Sequence, residues 1–330
     1  MDKQKVKIGV IGLGHLGKIH IKCIKQISSL ELKAVWDIDK SIEQKVAEDE
    51  NLICCDSIQN FFEAIEAVII VSPTSTHKDW AVQCITAGKH IFIEKPVTAT
   101  VADAEVIKYT LVNSKLKVQI GHVERFNPAF LAVQNLIDTP MFIEGHRLAE
   151  FKPRGTDVSV VMDLMIHDLD LILSMIKSPI KEIRASGLSV MSPTPDICNA
   201  RLEFENGAVA NLTASRISMK QMRKLRVFQA SQYISMDLLK KESQVVKISD
   251  AAPIDHPFSW TVETGSGTKH IQVDMPIPPD NNAIVDELTS FADSILQDKS
   301  TAVTLDDGIS ALKVASLIQS QIESTSIQMA

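Results

Sequence analysis

A glycine pattern near the start of the chain, Gly12-x-Gly14-x-x-Gly17, constrains the fold more than any other feature of its 330 residues. An apolar, β-branched run from Val6 to Ile11 leads into it and reads as a buried parallel strand; a helical pattern of Leu16, Ile19, Ile24 and Ile27 leads out. In a dinucleotide-binding α/β fold each glycine has its own reason. Gly12 makes the tight turn, Gly14 lets the backbone approach a pyrophosphate, and Gly17 lets helix and strand pack closely. The start of the helix, with His15 and Leu16, offers free N–H groups and a positive dipole end to the phosphates. The next predicted strand, Leu32 to Trp36, ends in Asp37, where an acidic side chain bonds an adenosine ribose 2′-hydroxyl. A carboxylate there repels a 2′-phosphate, so NAD is expected over NADP.

The length suits two domains, a dinucleotide-binding domain, 1–121, and a second domain, 122–330, to which the family resemblance given below assigns substrate binding and oligomerisation. A net charge of −7 and 5% aromatic residues argue against a general nucleic-acid or anionic-membrane partner. The start, MDKQKVKIGV, enters a strand at once and carries no signal or transit pattern. No apolar run has the length of a membrane span. The five cysteines, Cys23, Cys54, Cys55, Cys84 and Cys198, lack metal-ligand spacing. Reduced, mostly buried thiols in a cytoplasmic protein are expected, with no metal.

Along the first domain, Ser41–Asp49 and Ile58–Glu63 read as helical and Leu52–Cys55 as a brief strand. Ala67–Val71 is an unbroken apolar run of the kind found in a central parallel strand. It ends in the polar loop Ser72-Pro73-Thr74-Ser75-Thr76-His77, at the strand end where open α/β sheets bind ligands. His77 either lines the cofactor groove or caps the following helix, Asp79–Ala87, which Gly88 closes. The strand His90–Ile93 then stops at Glu94-Lys95-Pro96.

The succession Ser72-Pro-Thr-x-x-His77, Ala87-Gly-Lys-His90 and Glu94-Lys95-Pro96, in this order after the glycine pattern, resembles the Gfo/Idh/MocA oxidoreductase family. The resemblance implies an N-terminal Rossmann domain with a doubly wound parallel sheet. An open, mostly antiparallel sheet flanked by helices follows it. It also implies that Lys95 lies beside the nicotinamide and the reacting carbinol, with Glu94 and Pro96 fixing its loop. A cation there stabilises a developing alkoxide.

Ala99–Ser114 reads as a helix and Lys117–Ile120 as the last strand of the first domain. Gly121-His-Val-Glu-Arg-Phe-Asn-Pro128 crosses into the second, where a helix runs from Pro128 to Leu136 and Met141–Glu150 turns towards strand. A dense constellation follows in Asp163-x-x-x-His167-Asp168-x-Asp170. On a helix Asp163 and His167 share one face, an arrangement for proton transfer in which the carboxylate orients the imidazole. A helix salt bridge or a satisfied histidine is the alternative reading of the residues alone. The family resemblance assigns His167 as acid/base and Asp163 as its partner or a substrate ligand. Strands are expected at Ile183–Val190, Cys198–Glu205, Ala208–Ser215, Leu225–Ala230 and Gln244–Ile248, with Asn206-Gly207 as a hairpin turn. Ala251–Lys269 reads as a mobile loop, and Asn281–Leu296 and Thr304–Glu323 as closing helices. In the family the sheet face makes the oligomer interface, so a homodimer or homotetramer is expected.

Within the family, Gly121 to Pro128 and the segment Pro153-Arg154-x-x-Asp157-Val-x-Val resemble a narrower group. Its members oxidise the 3-hydroxyl of UDP-N-acetylglucosamine with NAD. Ser159, where glycine is expected, and Met165 depart from that pattern. Arg125 and Arg154 are cations suited to a diphosphate, and Asn127 to a sugar hydroxyl or acetamido group; each is equally suited to holding its own loop together. A free polyol such as inositol, or another nucleotide sugar, is the alternative substrate. A cofactor-binding sensor without turnover is the alternative of another class, and it has no need of Lys95, Asp163 and His167.

Overall fold

The computed structural model describes residues 4–52, 55–152, 158–251, 256–265 and 267–325. The chain folds as two units, 1–123 with 281–313 and 124–280 with 314–330. The sequence divides the chain once, at 121, whereas the structure groups 281–313 with the first unit.

The first unit is built on a five-stranded parallel sheet. Strand β1 (Val6–Ile11) runs through the glycine turn into α1 (His15–Ile24), and β2 (Leu30–Trp36) leads to α2 (Lys40–Glu50). Helix α3 (Ile58–Glu63), β3 (Ala67–Ile70), α4 (His77–Thr86) and β4 (His90–Glu94) follow, then α5 (Val101–Thr110) and β5 (Val118–Gly121). The strand order is β2-β1-β3-β4-β5, with every pairing parallel. The order reverses between β1 and β3, which is where such sheets open a crevice for a ligand. The brief strand expected at Leu52–Cys55 falls partly outside the described residues.

The core of this unit explains why 281–313 belongs to it. Ile8 and Val10 of β1, Ile69 of β3 and Phe92 of β4 share one buried cluster with Ile21 and Ile24 of α1. Leu288, Phe291 and Ala292 of the late helix Ala283–Leu296 complete it. Phe92 and Phe291 meet edge to face at 6.0 Å. Burial of α1 runs through Gly17, His20, Ile21, Cys23 and Ile24, while Leu16 is 38% exposed. Of the expected stripe Ile24 and Ile27 are buried and Ile19 partly so, and Leu16 alone faces out.

The second unit opens with the short helix α6 (Pro128–Leu131) and β6 (Phe142–Leu148). The region expected as one helix around Asp163 is a π-helical turn, Val161–Met165, continued by α7 (Ile166–Met175). Eight more strands follow: β7 (Ile180–Leu188), β8 (Ile197–Phe204), β9 (Val209–Ser215), β10 (Met222–Gln229), β11 (Gln232–Asp237), β12 (Glu242–Ser249), β13 (Ser259–Thr264) and β14 (Gly267–Asp274). The order is β13-β14-β12-β11-β10-β6-β9-β8-β7, antiparallel except where β6 meets β9. Alternating burial in β6, β8 and β9 gives the sheet one packed face. Two expectations are corrected here. The alternation of Ile234 and Met236, both buried, makes β11 a strand that went unread. The expected loop 251–269 contains β13 and the start of β14, a hairpin in which Thr264 pairs with Gly267.

After α8 (Ala283–Leu296), the last helix, α9 (Leu305–Thr325), contributes to each unit in turn. Gly308 lies against Ile120 of β5, and Ile322 against Gly187 of β7.

Candidate active site

The sequence-predicted residues fall into two groups, one in each unit. In the first unit they gather at the carboxyl ends of the parallel strands. Gly12 has φ +96°, and a Cβ there would lie 2.6 Å from the Ser72 backbone nitrogen, so the turn after β1 rests directly on the loop after β3. Gly17 packs beneath the Gly12 carbonyl. Gly14 caps α1 without a side chain, the first turn of α1 carries no acid, and a Cβ on Gly14 would meet nothing within 4 Å. An open space over uncapped amides at a helix start is what an anionic pyrophosphate requires. His15 and Leu16, both exposed, border it.

Asp37 ends β2 on the same side. Its Oδ2 accepts the Leu13 N–H at 2.7 Å and its Oδ1 accepts the Asp39 N–H at 3.0 Å, so the carboxylate is anchored to the glycine turn. Each oxygen keeps a lone pair for a ribose hydroxyl. Glu43 of α2 takes the Asp37 N–H at 2.9 Å and the Lys40 ammonium at 2.8 Å, and Lys40 lies 3.3 Å over the Trp36 ring.

The loop after β3 is tied by its own hydroxyls. Thr76 Oγ1 donates to Pro73 O at 2.8 Å, leaving Ser72 Oγ to donate to Thr76 Oγ1 at 2.7 Å. Thr74 begins the 3₁₀ turn between Pro73 and His77. His77 takes neither of the roles expected for it. Its ring is buried, with Nε2 2.9 Å from Ser72 O and Nδ1 3.0 Å from Pro96 O. It therefore sits buried between the backbones of the loops that follow β3 and β4. Burial lowers its pKa below the ordinary histidine range, against the opposing pull of the Ser72 and Pro96 carbonyls.

Lys95 follows β4, half-buried, and its backbone N–H donates to Glu94 Oε2 at 3.1 Å. The other Glu94 oxygen lies 2.8 Å from Nε2 of His20, a fully buried residue of α1 that the sequence reading passed over. Its signal was the spacing of Gly17, Ile21 and Ile24, which sets His20 on the buried face.

In the second unit His167 stands in the first turn of α7, with Asp163 exposed in the π turn before it. The Ile166 N–H reaches back to Val161 O, five residues away, so Asp163 and His167 are joined by a π turn and not by a regular α turn. Such turns recur at functional sites. Two arginines grip the helix. Arg125 forks onto Asp170, with Nε to Oδ2 at 2.6 Å and a terminal nitrogen to Oδ1 at 2.8 Å. Arg147 of β6, buried, donates to Asp168 Oδ1 at 2.7 Å and to Glu124 Oε1 at 2.9 Å. Burial pushes the Asp168 carboxyl up, and the Arg147 charge opposes it.

Two of the expected substrate ligands hold partners within the chain. Arg125 has given its fork to Asp170. Asn127 is a helix cap: its Oδ1 accepts the Ala129 N–H at 3.0 Å, while its Nδ2 donates to Glu124 Oε2 at 2.8 Å and Leu238 O at 3.0 Å. Arg154 lies outside the described residues. Ser159, the departure from the narrower pattern, is buried and donates to Gln319 Oε1 of α9 at 3.0 Å. No metal-binding cluster occurs among the described residues.

A family model described as an oxidoreductase family with an NAD-binding Rossmann fold matches residues 6–122, and the GFO/IDH/MocA C-terminal domain matches 138–231. The sequence is 33% identical over 291 residues to UDP-N-acetylglucosamine 3-dehydrogenase of Acidithiobacillus ferrooxidans, covering 88% of each chain. The chain belongs to the Gfo/Idh/MocA family of oxidoreductases.

Its likeness to other members of the Gfo/Idh/MocA family extends over nearly the whole chain. The solved structure of the Acidithiobacillus ferrooxidans dehydrogenase matches with a TM-score of 0.87 at 29% identity, covering 97% of this chain and 98% of that one. A scyllo-inositol 2-dehydrogenase (NAD(+)) of Bacillus subtilis is 27% identical over 241 residues, 66% of this chain and 69% of its own. As in the family model, the first unit is an NAD-binding Rossmann fold. No described helix is long and apolar enough to cross a membrane.

Proposed function

We propose that this oxidoreductase oxidises the 3-hydroxyl of UDP-N-acetylglucosamine to the 3-keto sugar with NAD. The observation that carries the reading is the 33% identity to a dehydrogenase of that substrate across 88% of both chains. NAD, when bound, supplies the acceptor for the hydride that leaves the sugar C3. The α1 amides and Asp37 hold its pyrophosphate and ribose, with Ser72, Pro73 and Thr74 beside them. Lys95 and His167 share two tasks, stabilising the C3 alkoxide and receiving the hydroxyl proton. Asp163 assists His167 or meets the sugar, and Arg154 meets the diphosphate. Arg125 and Asn127 act one step back, Arg125 holding α7 through Asp170 and Asn127 capping α6.

The test is NADH absorbance with purified protein, NAD and UDP-N-acetylglucosamine, with an aminotransferase present to draw off the keto sugar. Turnover lost in Lys95→Ala and His167→Ala is the expected result. Turnover on an inositol in preference to the nucleotide sugar, or tight NAD binding with no turnover, would overturn the substrate reading.

The protein is further proposed to work as a homo-oligomer in the cytoplasm. Phe142, Phe228 and Tyr233 occupy paired positions on neighbouring strands of the second unit, with Phe228 stacked on Tyr233 at 4.7 Å and both phenylalanines exposed. A contiguous aromatic patch of this kind suits an interface. The free thiols Cys23, Cys84 and Cys198, all buried, suit a reducing compartment. Light scattering on wild type and Phe228→Glu decides the oligomer, since a monomer in both excludes it.

A further inference from the structure

His20 is a polar residue on the buried face of an otherwise apolar helix, and buried polar groups call for an account. Its surroundings supply one. The Nε2 atom lies 2.8 Å from Glu94 Oε1, and because a carboxylate only accepts, the ring is the donor. Nδ1 has no hydrogen-bond partner among the described residues, so the ring's one polar contact is spent on Glu94. Phe92 fixes the ring plane edge-on, with centroids 5.7 Å apart. From the other side the Glu94 carboxylate rests on Gly121, where a Cβ would approach it to 3.0 Å. The remaining oxygen of Glu94 receives the Lys95 N–H. Together these contacts form one chain. It runs from the phosphate-facing helix, through one carboxylate, to the backbone of the lysine.

We propose that His20 is a positioning residue for Lys95, acting through Glu94, and that it ties the placement of the lysine to the helix whose N-terminus receives the cofactor. The inference rests on the reading of Lys95 given above. Leucine at position 20 fills the space of the ring without its donor. Glutamine offers an amide N–H at the place of Nε2. Glu94→Gln alters the same contact from its other end. A hydrogen bond to a partly buried carboxylate outweighs a neutral one, so its loss releases the loop without emptying the core.

Two measurements test it. The first is acetic anhydride labelling of the free protein, read by mass spectrometry, with exposed Lys45 and Lys240 as internal references. In His20→Leu and Glu94→Gln the relative rate at Lys95 should change at least about threefold, the worth of one modest hydrogen bond. In His20→Gln it should return to the wild-type value. The second is steady-state kinetics, where His20→Leu should lower kcat about tenfold to a hundredfold, as expected when a reacting group is displaced by about an ångström. NADH affinity, read by fluorescence, should change far less, and His20→Gln should recover most of kcat. A merely structural histidine would lower the melting temperature of His20→Leu and leave both Lys95 labelling and kcat unmoved; that result overturns the proposal. If wild type turns over no substrate, the function proposed above fails while the labelling still decides the role of His20. If His20→Leu does not fold, Glu94→Gln and His20→Gln carry the same comparison.

Discussion

A Cβ built on Gly17 would stand 2.0 Å from the carbonyl oxygen of Gly12, whereas one built on Gly14 would meet nothing within 4 Å. The same added methyl group therefore has two different outcomes. Gly17→Ala must displace backbone and should cost about 3 kcal/mol or more of stability. Gly14→Ala should cost about 1 kcal/mol at most, through weaker capping, and still lose NAD affinity because the methyl occupies the pyrophosphate's place. Urea unfolding and NADH fluorescence separate the two. Wild-type NADH binding in Gly14→Ala would refute the assignment of that space.

Asp37 should govern the choice between NAD and NADP. Lys40, close by in sequence, is turned onto Trp36 and Glu43. In Asp37→Ser, NAD should bind roughly tenfold more weakly, the equivalent of one or two lost hydrogen bonds, and NADP should gain. Unchanged affinity for both nucleotides in equilibrium titrations would show that the carboxylate serves only the Leu13 and Asp39 amides.

Arg147 should be the most stability-critical charge of the second unit. Its removal leaves Asp168 and Glu124 buried without their shared cation. Arg147→Met should cost about 3–5 kcal/mol in urea unfolding, the range for breaking a buried pair from one side. A loss below about 1 kcal/mol would mean that Arg223, 3.6 Å from Glu124, or another group takes over.

Stability should fall on mild acidification. Burial lowers the pKa of both His77 and His90, and Lys117 adds to the effect at His90. The unfolded chain, titrating near 6.5, then binds more protons than the native one. Their contribution is whole above about pH 6.5 and is lost as the pH falls through the lower native values. His90 Nδ1 accepts the Lys117 N–H at 2.9 Å, a bond that protonation breaks. Asn at position 90 keeps an acceptor there without titrating, so His90→Asn should flatten the drop in melting temperature between pH 7.5 and 5.5. An unaltered slope would clear His90 of the effect.

A second, lower acid transition should come from Asp196. Burial pushes its carboxyl up, but the N–H groups of Met191, Val190 and Ser192 outweigh burial and hold it at about 2. Its contribution is present above the unfolded value near 4 and is lost as the pH falls from there through about 2. Asp196→Asn should remove that lower step from an acid titration of near-ultraviolet circular dichroism, and persistence of the step would assign it elsewhere.

The Rossmann half was legible because each of its devices leaves a local mark: glycines at fixed spacing, unbroken apolar strands, and an acid at the end of β2. The second sheet was less so. Its strand β13 is exposed at every position, and alternation such as Trp260, Val262 in a Pro- and Gly-rich neighbourhood looks like loop. At the site, Asp163 and His167 stood out by spacing, but the π turn between them did not, since nothing in Val161–Met165 separates a π turn from an α turn by composition. Arg125 and Asn127 show the opposite difficulty. Their residue types suit a nucleotide sugar, and only their distant partners, Asp170 and Leu238, reveal that their polar groups are already engaged. His20 and Arg147 were missed for the same reason, because a buried polar residue is explained by what lies across from it in space.

The first unit is not continuous in the chain: its sheet is finished by residue 121, but Leu288, Phe291 and Ala292, which cover one of its faces, arrive only after the whole of 124–280. A ribosome adding about 5–20 residues per second therefore leaves that face without part of its cover for roughly 8–34 s. During that interval Ile8, Ile69 and Phe92 are available to chaperones or to neighbouring nascent chains. A fragment ending at 123 would remain in that condition permanently, so the NAD-binding half is not a module that can be cut free and borrowed.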